Sequence, residues 1–226
     1  MIKFKKVSKF YKDNTPAAKD LSFHIKPGEF VSIVGQSGTG KTTIAKMIIA
    51  EERASSGNIN VGGWDISSIK NSEIPILRRQ IGVVFQDFKL LPKKSVFENI
   101  AFAMEVCGLK QDKINKVVPQ VLKIVGLENK ADKFPGQLSG GEMQRVVIAR
   151  SLIHHPKIIV ADEPTGNLDS INAYDIVNLL LKINQFGTTV VLVTHNHDIV
   201  NSIKKRVITL DNGMIISDQK SGKYIL

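Results

Sequence analysis

At 226 residues, with 42% hydrophobic residues and a formal net charge of +10, the chain is within reach of one compact α/β domain. Its longest strictly apolar run, Ile100–Met104, has five residues, far short of a membrane span, and no charged-apolar-small cleavage pattern opens it. The single cysteine, Cys107, cannot form an internal disulfide, which fits a reducing compartment and a role as a small helix-packing residue.

Strand-like segments at residues 2–8, 21–25 and 57–61 predict a small β-rich flank. Phe30-Val31-Ser32-Ile33-Val34 is a β-branched and aromatic run that reads as a strand. It leads into Gly35-Gln36-Ser37-Gly38-Thr39-Gly40-Lys41-Thr42, a full match to G-x-x-x-x-G-K-[ST]. At average glycine usage this pattern arises by chance in about one chain of this length in a hundred. From Thr43 to Ile49 the chain has helical character, with apolar residues at 44, 47 and 48. A strand, a glycine turn and a helix start make an anion site, because unpaired N–H groups and the positive helix end point at one place. Residues 35–43 are therefore candidate nucleotide-binding residues. Lys41 is expected to reach the β/γ-phosphates and Thr42 to ligate Mg²⁺, so ATP and Mg²⁺ are the expected cofactors. Trp64 reads as a packing residue.

From about 95 to 155 the pattern is helical, including Val117–Val125. Within it, Leu138-Ser139-Gly140-Gly141-Glu142 carries the S-x-x-E spacing of a capping box, ahead of a helix from Gly140 to about His154 that stops before Pro156. His154 and His155 read as helix-end caps. The positive end of that helix, with Gly140 and Gly141 allowing close backbone approach, suits a γ-phosphate carried by another copy of the chain.

Ile158-Ile159-Val160-Ala161 predicts a strand buried on both faces, with Asp162 and Glu163 at its C-terminal tip, where open α/β sheets bind ligands. Adjacent acids can divide the work: Asp162 holds the Mg²⁺ shell while Glu163 accepts a proton from the attacking water. Pro164-Thr165-Gly166-Asn167-Leu168-Asp169 is a tight turn that holds them. Thr189–Val193, Arg206–Leu210 and Met214–Ser217 complete the strands, with Asp211-Asn212-Gly213 as a hairpin turn. His24 and His197 have no partners at metal-ligand spacing. Basic residues gather at Lys3, Lys5, Lys6, Lys9 and Lys12, between Lys110 and Lys133, and at Lys204–Arg206. They form a solvated surface that also suits attraction to ATP or an anionic leaflet. Nothing resembles a nucleic-acid-binding motif.

Taken together, these segments resemble an ATP-binding-cassette (ABC) ATPase from end to end, with each diagnostic motif in family order. The resemblance implies a single domain over 1–226 of P-loop NTPase type. It has a mostly parallel core sheet, an antiparallel β flank and a helical subdomain inserted at about 88–156. By resemblance, Tyr11 is similar to the adenine-stacking aromatic. Gln86 resembles the Q-loop glutamine that touches the metal shell. Residues 138–142 resemble the signature, Asp169 lies in the D-loop, and His195 resembles the switch histidine. The implied nucleotide contacts include Ser139, Gly140, Gly141, Glu142 and Asp169 across a head-to-tail dimer that sandwiches two ATP molecules. Met143 departs from the glutamine that many relatives carry there.

Leu77–Pro92, continued by Lys93–Ala101, is similar to the cell-division branch of the family. Ala161–Asp169 fits that branch and also the lipoprotein-releasing and macrolide-efflux branches. The resemblance implies a motor ATPase on the cytoplasmic face of the membrane, working with an FtsX-like integral membrane protein and not with nucleic acid. Phe88, Leu90 and Leu91 are expected to line a groove for a short cytoplasmic helix of that partner, unless they pack internally.

Overall fold

The structure, a computed structural model, describes residues 1–11, 15–222 and 224; Lys12 of the basic cluster lies outside the described residues. Two sheets share the chain. The smaller has the order β2 (Pro16–Ile25), β1 (Ile2–Phe10), β4 (Ser56–Val61), β5 (Trp64–Asp65), and its pairings are antiparallel. The larger has the order β10 (Met214–Gln219), β9 (Arg206–Asp211), β3 (Phe30–Val34), β8 (Thr189–Thr194), β7 (Ile158–Asp162), β6 (Ile81–Phe85). It is parallel except for the β9–β10 hairpin at its edge.

The central strands read as nearly continuous apolar runs, interrupted in β3 by Ser32, because both of their faces are covered. Along β7, Ile159 and Ala161 face one core cluster while Ile158 and Val160 face the other, as the two-residue strand period requires. The second cluster wraps α1 (Lys41–Ile48) between the two sheets, so the helix that follows the glycine loop is clamped from both sides. Trp64 is half-buried against that cluster. The first cluster packs the other sheet face on α5 (Gly140–Leu152) and α6 (Ser170–Gln185).

Between β6 and β7 stand three helices: α3 (Val96–Val106), α4 (Gln111–Val125) and α5. Asn99 is fully buried and locks the turn before α3. Its Oδ1 accepts from Leu91 N at 2.7 Å, and its amide donates to the Leu91, Lys94 and Ser95 carbonyls. α4 starts six residues before Val117 and continues through Pro119. A proline inside a helix removes one ladder bond. Here Ile114, Val118, Val121, Leu122 and Val125 are buried along one face, and each contributes about 1.5–3 kcal/mol, which outweighs that loss.

The end of α5 corrects the sequence reading. It stops at Leu152, and His155 adopts φ 50. His154 therefore does not cap the helix; its Nε2 sits 3.7 Å from Cys107 Sγ at the end of α3. Among the described residues, no helix is long and apolar enough to cross a membrane.

Candidate functional site

β3 ends at Val34 and the chain turns through Gly35–Gly40 into α1. Gly40 has φ 96, and a Cβ there would overlap the Ala17 carbonyl of β2, so only glycine fits. The Lys41 ammonium is held inside the loop, donating to the Gly35 and Gln36 carbonyls at 2.8 and 2.7 Å. Burial lowers its pKa, and the charges of Glu163 and Asp162 oppose that shift.

β7 lies two strands from β3 across β8, and its tip meets the start of α1. The Thr42 hydroxyl donates to Asp162 Oδ1 at 3.3 Å. Burial pushes the Asp162 carboxyl up to about 6; the Thr42 hydrogen bond opposes this and the neighbouring Glu163 charge adds to it. Glu163 itself has φ 48, in the left-handed region that non-glycine residues rarely occupy. Its N–H donates to Val193 O at 2.8 Å, which holds that conformation. The Thr194 hydroxyl donates to Glu163 Oε2 at 3.2 Å, and His195 Nδ1 lies 2.8 Å from Oε1. Because a carboxylate only accepts, the His195 ring is the donor through Nδ1.

A cleft of about 530 Å³ joins these pieces. It is lined by Tyr11, Ser37, Gly38, Gly40, Lys41, Thr42, Thr43, Gln86, Glu163 and His195, together with Thr15, Pro16 and Ala17. The Tyr11 hydroxyl is 3.3 Å from Thr43 Oγ1. Residues from five separate stretches of sequence thus converge on one opening.

Ser139–Glu142 do not line this cleft. The capping box forms as the spacing predicts: Ser139 Oγ accepts from Glu142 N at 3.2 Å, and Glu142 Oε2 accepts from Ser139 N at 2.8 Å. Lys130 pairs with the other Glu142 oxygen at 3.0 Å. Gly140 packs beside Leu168 and Asn167 of the tight turn. Gly141 is buried, and a Cβ there would run into the Asn172 amide. Asn172 in turn bonds both oxygens of Asp169, the N-cap of α6. Gly141 is thus fixed by the contact between α5 and α6 within one chain.

The family model described as ABC transporter matches residues 18–166. The chain belongs to the ABC transporter family. FtsE, the cell division ATP-binding protein of Bacillus subtilis (strain 168), is 52% identical over 224 residues, covering 99% of this chain and 98% of that one. The protein of the same description from Escherichia coli (strain K12) is 44% identical over 213 residues, covering 94% and 96%. Among solved structures, the dimeric ATP-binding cassette MJ0796, in a post-hydrolysis state bound to ADP and Pi, superposes with a TM-score of 0.88. It is 36% identical and covers 99% of this chain and all of that one.

As an ABC cassette, the chain carries connections that sequence reasoning missed. Gln86 does not stand alone: its amide donates to Asn167 Oδ1, and the Asn167 amide donates to Gln86 O, both at 3.2 Å. The Gln144 amide, fully buried on α5, donates to Phe85 O at 3.2 Å. Arg150, farther along α5, donates to Lys89 O at 2.9 Å and Phe88 O at 3.2 Å. The helix that starts at Ser139 is therefore wired to both sides of Gln86. Nothing in residue spacing announces these contacts, since each spans about sixty positions or more.

Thr42 and Asp162 supply the hard oxygen donors that Mg²⁺ takes alongside nucleotide phosphates, so the residues fit that ion. The raised Asp162 pKa carries a sign. The folded state binds the proton more tightly than the unfolded chain, so this group's contribution to stability falls as pH rises from about 4 to about 6. At neutral pH the buried charge costs about 3 kcal/mol. Asp162→Asn, without nucleotide and with divalent ions chelated, should raise the melting temperature at pH 7.5, and the gain should vanish near pH 4. Equal melting temperatures across that range would show that burial does not burden this carboxyl.

Proposed function

We propose that this chain is the ATP-hydrolysing motor subunit of a bacterial cell-division complex, FtsE-like and partnered by an FtsX-type membrane protein. The observation that carries the chemistry is the convergence of Lys41, Thr42, Glu163 and His195 on one cleft, with Glu163 oriented by two hydrogen bonds. The high identity to FtsE over nearly the whole chain supports the cell-division assignment.

Lys41 and the backbone N–H groups of the loop hold the β- and γ-phosphates, and Tyr11 offers its ring to the adenine. Thr42 and Asp162, with Gln86 beside them, would hold Mg²⁺, which would neutralise charge developing on the phosphates. Glu163 takes the proton of the attacking water as its oxygen bonds to the γ-phosphorus and the bond to ADP breaks, leaving ADP and phosphate. His195 holds the Glu163 carboxylate and aligns the water. Ser139, Gly140, Gly141 and Glu142 lie outside the cleft. We assign them, with Asp169, to the nucleotide of a second copy in an ATP-sandwich homodimer, active with Mg²⁺ on the cytoplasmic face of the membrane.

Phe88 and Leu90 are half-buried against the core, and Phe88 lies beside Gly140, so a charge at either would disturb packing. Leu91 is half-buried and absent from that packed set, which makes it the better probe of docking. Co-expression with an FtsX-type protein and purification from membranes tests the reading. Leu91→Asp should abolish co-purification while keeping basal ATP hydrolysis within about threefold of wild type. Retained co-purification would refute this docking position, and failure of the wild-type chain to co-purify would refute the partner.

A further inference from the structure

After β10 the chain folds back on the core. Gly222 N donates to Lys205 O at 3.1 Å, and Tyr224 is inserted with only 3% of its surface exposed. Tyr224 completes a small apolar cluster with Val34, the last residue of β3, with Val200 of α7 (His197–Ile203), and with Val207 of β9. Its ring stacks on His197, with centroids 3.8 Å apart and planes at 12°. Its backbone N–H donates to Asn201 Oδ1 at 2.8 Å. Burial raises the pKa of its hydroxyl, the Glu163 charge adds to that shift and the Gly35 backbone opposes it.

The neighbours on each side are parts of the site. Val34 and Gly35 are the last strand residue and first residue of the phosphate loop. His197 opens α7, whose N-cap Asn196 directly follows His195. The loop that grips phosphate and the residue that holds Glu163 lie on different strands, β3 and the end of β8. One aromatic ring bridges them from behind. His195 itself is well exposed, and Glu163 is its hydrogen-bond partner among the described residues. Its placement therefore depends on how α7 is held.

We infer that Tyr224 is a positioning residue for ATP hydrolysis: it fixes α7, and with it His195, against the start of the phosphate loop. This inference rests on the ATPase reading above. Without the ring, Lys41 and Thr42 still bind ATP, because Lys41 is held by the Gly35 and Gln36 carbonyls and Thr42 by Asp162 of β7. What loosens is the registration between that loop and the Glu163–His195 pair, and a misplacement of about 1 Å in such geometry costs up to about 100-fold in rate. The signature of the role is thus a loss in kcat with KM for ATP largely unmoved.

Tyr224→Leu keeps an apolar side chain in the Val34–Val200–Val207 cluster while removing stack and hydroxyl, so it separates positioning from simple core loss. In the full-length protein, kcat should fall about 10- to 100-fold, with KM for ATP within about threefold and unfolding still above the assay temperature. Tyr224→Phe, which keeps the stack, should recover most of that loss. Combining Tyr224→Leu with His197→Leu should add little beyond either alone, since the two share one contact. Wild-type turnover is measured first. Its absence would overturn the ATPase reading and this assignment with it. Wild-type turnover with unchanged kcat in Tyr224→Leu would overturn the assignment alone, as would a Phe variant no better than Leu or fully additive losses in the double variant.

Discussion

Glu163→Gln should lower ATP turnover by about 10²–10⁴-fold while leaving ATP binding intact. The expected loss is chemical, because the geometry should survive. Glutamine has the same length, and the left-handed backbone at this position is held by the bond from its N–H to Val193 O, which no side chain supplies. The amide oxygen can still accept from the Thr194 hydroxyl that now donates to Glu163 Oε2. Lys41 and Thr42 stay in place, so nucleotide affinity should change little. What the amide cannot do is take a proton from water. With binding preserved and hydrolysis blocked, an ATP-bound dimer should accumulate, visible by size-exclusion chromatography with ATP and Mg²⁺. Phosphate release at the wild-type rate would show that another group is the base.

The parts of the site legible in sequence are those built from consecutive residues. The phosphate loop, the acidic strand tip and the capping box are each a local pattern whose chemistry follows from its own spacing. The central strands β3, β7 and β8 were legible for the same reason, since burial on both faces leaves nearly continuous apolar runs such as Ile158–Ala161; β6 was not read as a strand. The stretch from about 95 to 155, Val117–Val125 above all, was legible as helical despite Pro119, because the buried apolar face keeps its period through the proline; the start of α4 at Gln111 was not. The bonds from Arg150 to the carbonyls after Gln86 were invisible for a different reason. An arginine on a polar helix face looks like a solvated charge, and here burial lowers its pKa while the carbonyls of another segment accept its hydrogen bonds. The basic surface was misleading in part as well. Arg206, read as one of a cationic run, is paired with Glu29 at 3.0 Å and Asp218 at 2.7 Å.

Neither subunit should complete an active site alone, and mixing two inactive variants tests this directly. Lys41→Ala removes the phosphate grip of its own cleft. The complementary lesion belongs at the signature, and the structure decides where. Gly141 is a poor position, since any side chain there strikes Asn172 and disturbs the start of α6 whatever happens at the nucleotide. Ser139 is exposed and its intrachain duty is to cap α5. Aspartate caps as well as serine does, so Ser139→Asp keeps the helix start while setting a carboxylate against an arriving γ-phosphate. Each variant alone should lose nearly all turnover, because both sites of its dimer carry a lesion. In a mixed dimer one site combines both lesions, and the other pairs an intact Lys41 loop with an intact Ser139. An equal mixture should therefore recover about a quarter of the wild-type rate, half the dimers being mixed and half their sites intact. Activity that appears only on mixing would place Ser139 on the partner's nucleotide. Full activity of Ser139→Asp alone would sink the composite site. A mixture as inactive as its components would mean that Lys41 and Ser139 of one chain serve the same cleft, which the separation of Ser139 from the residues lining that cleft argues against.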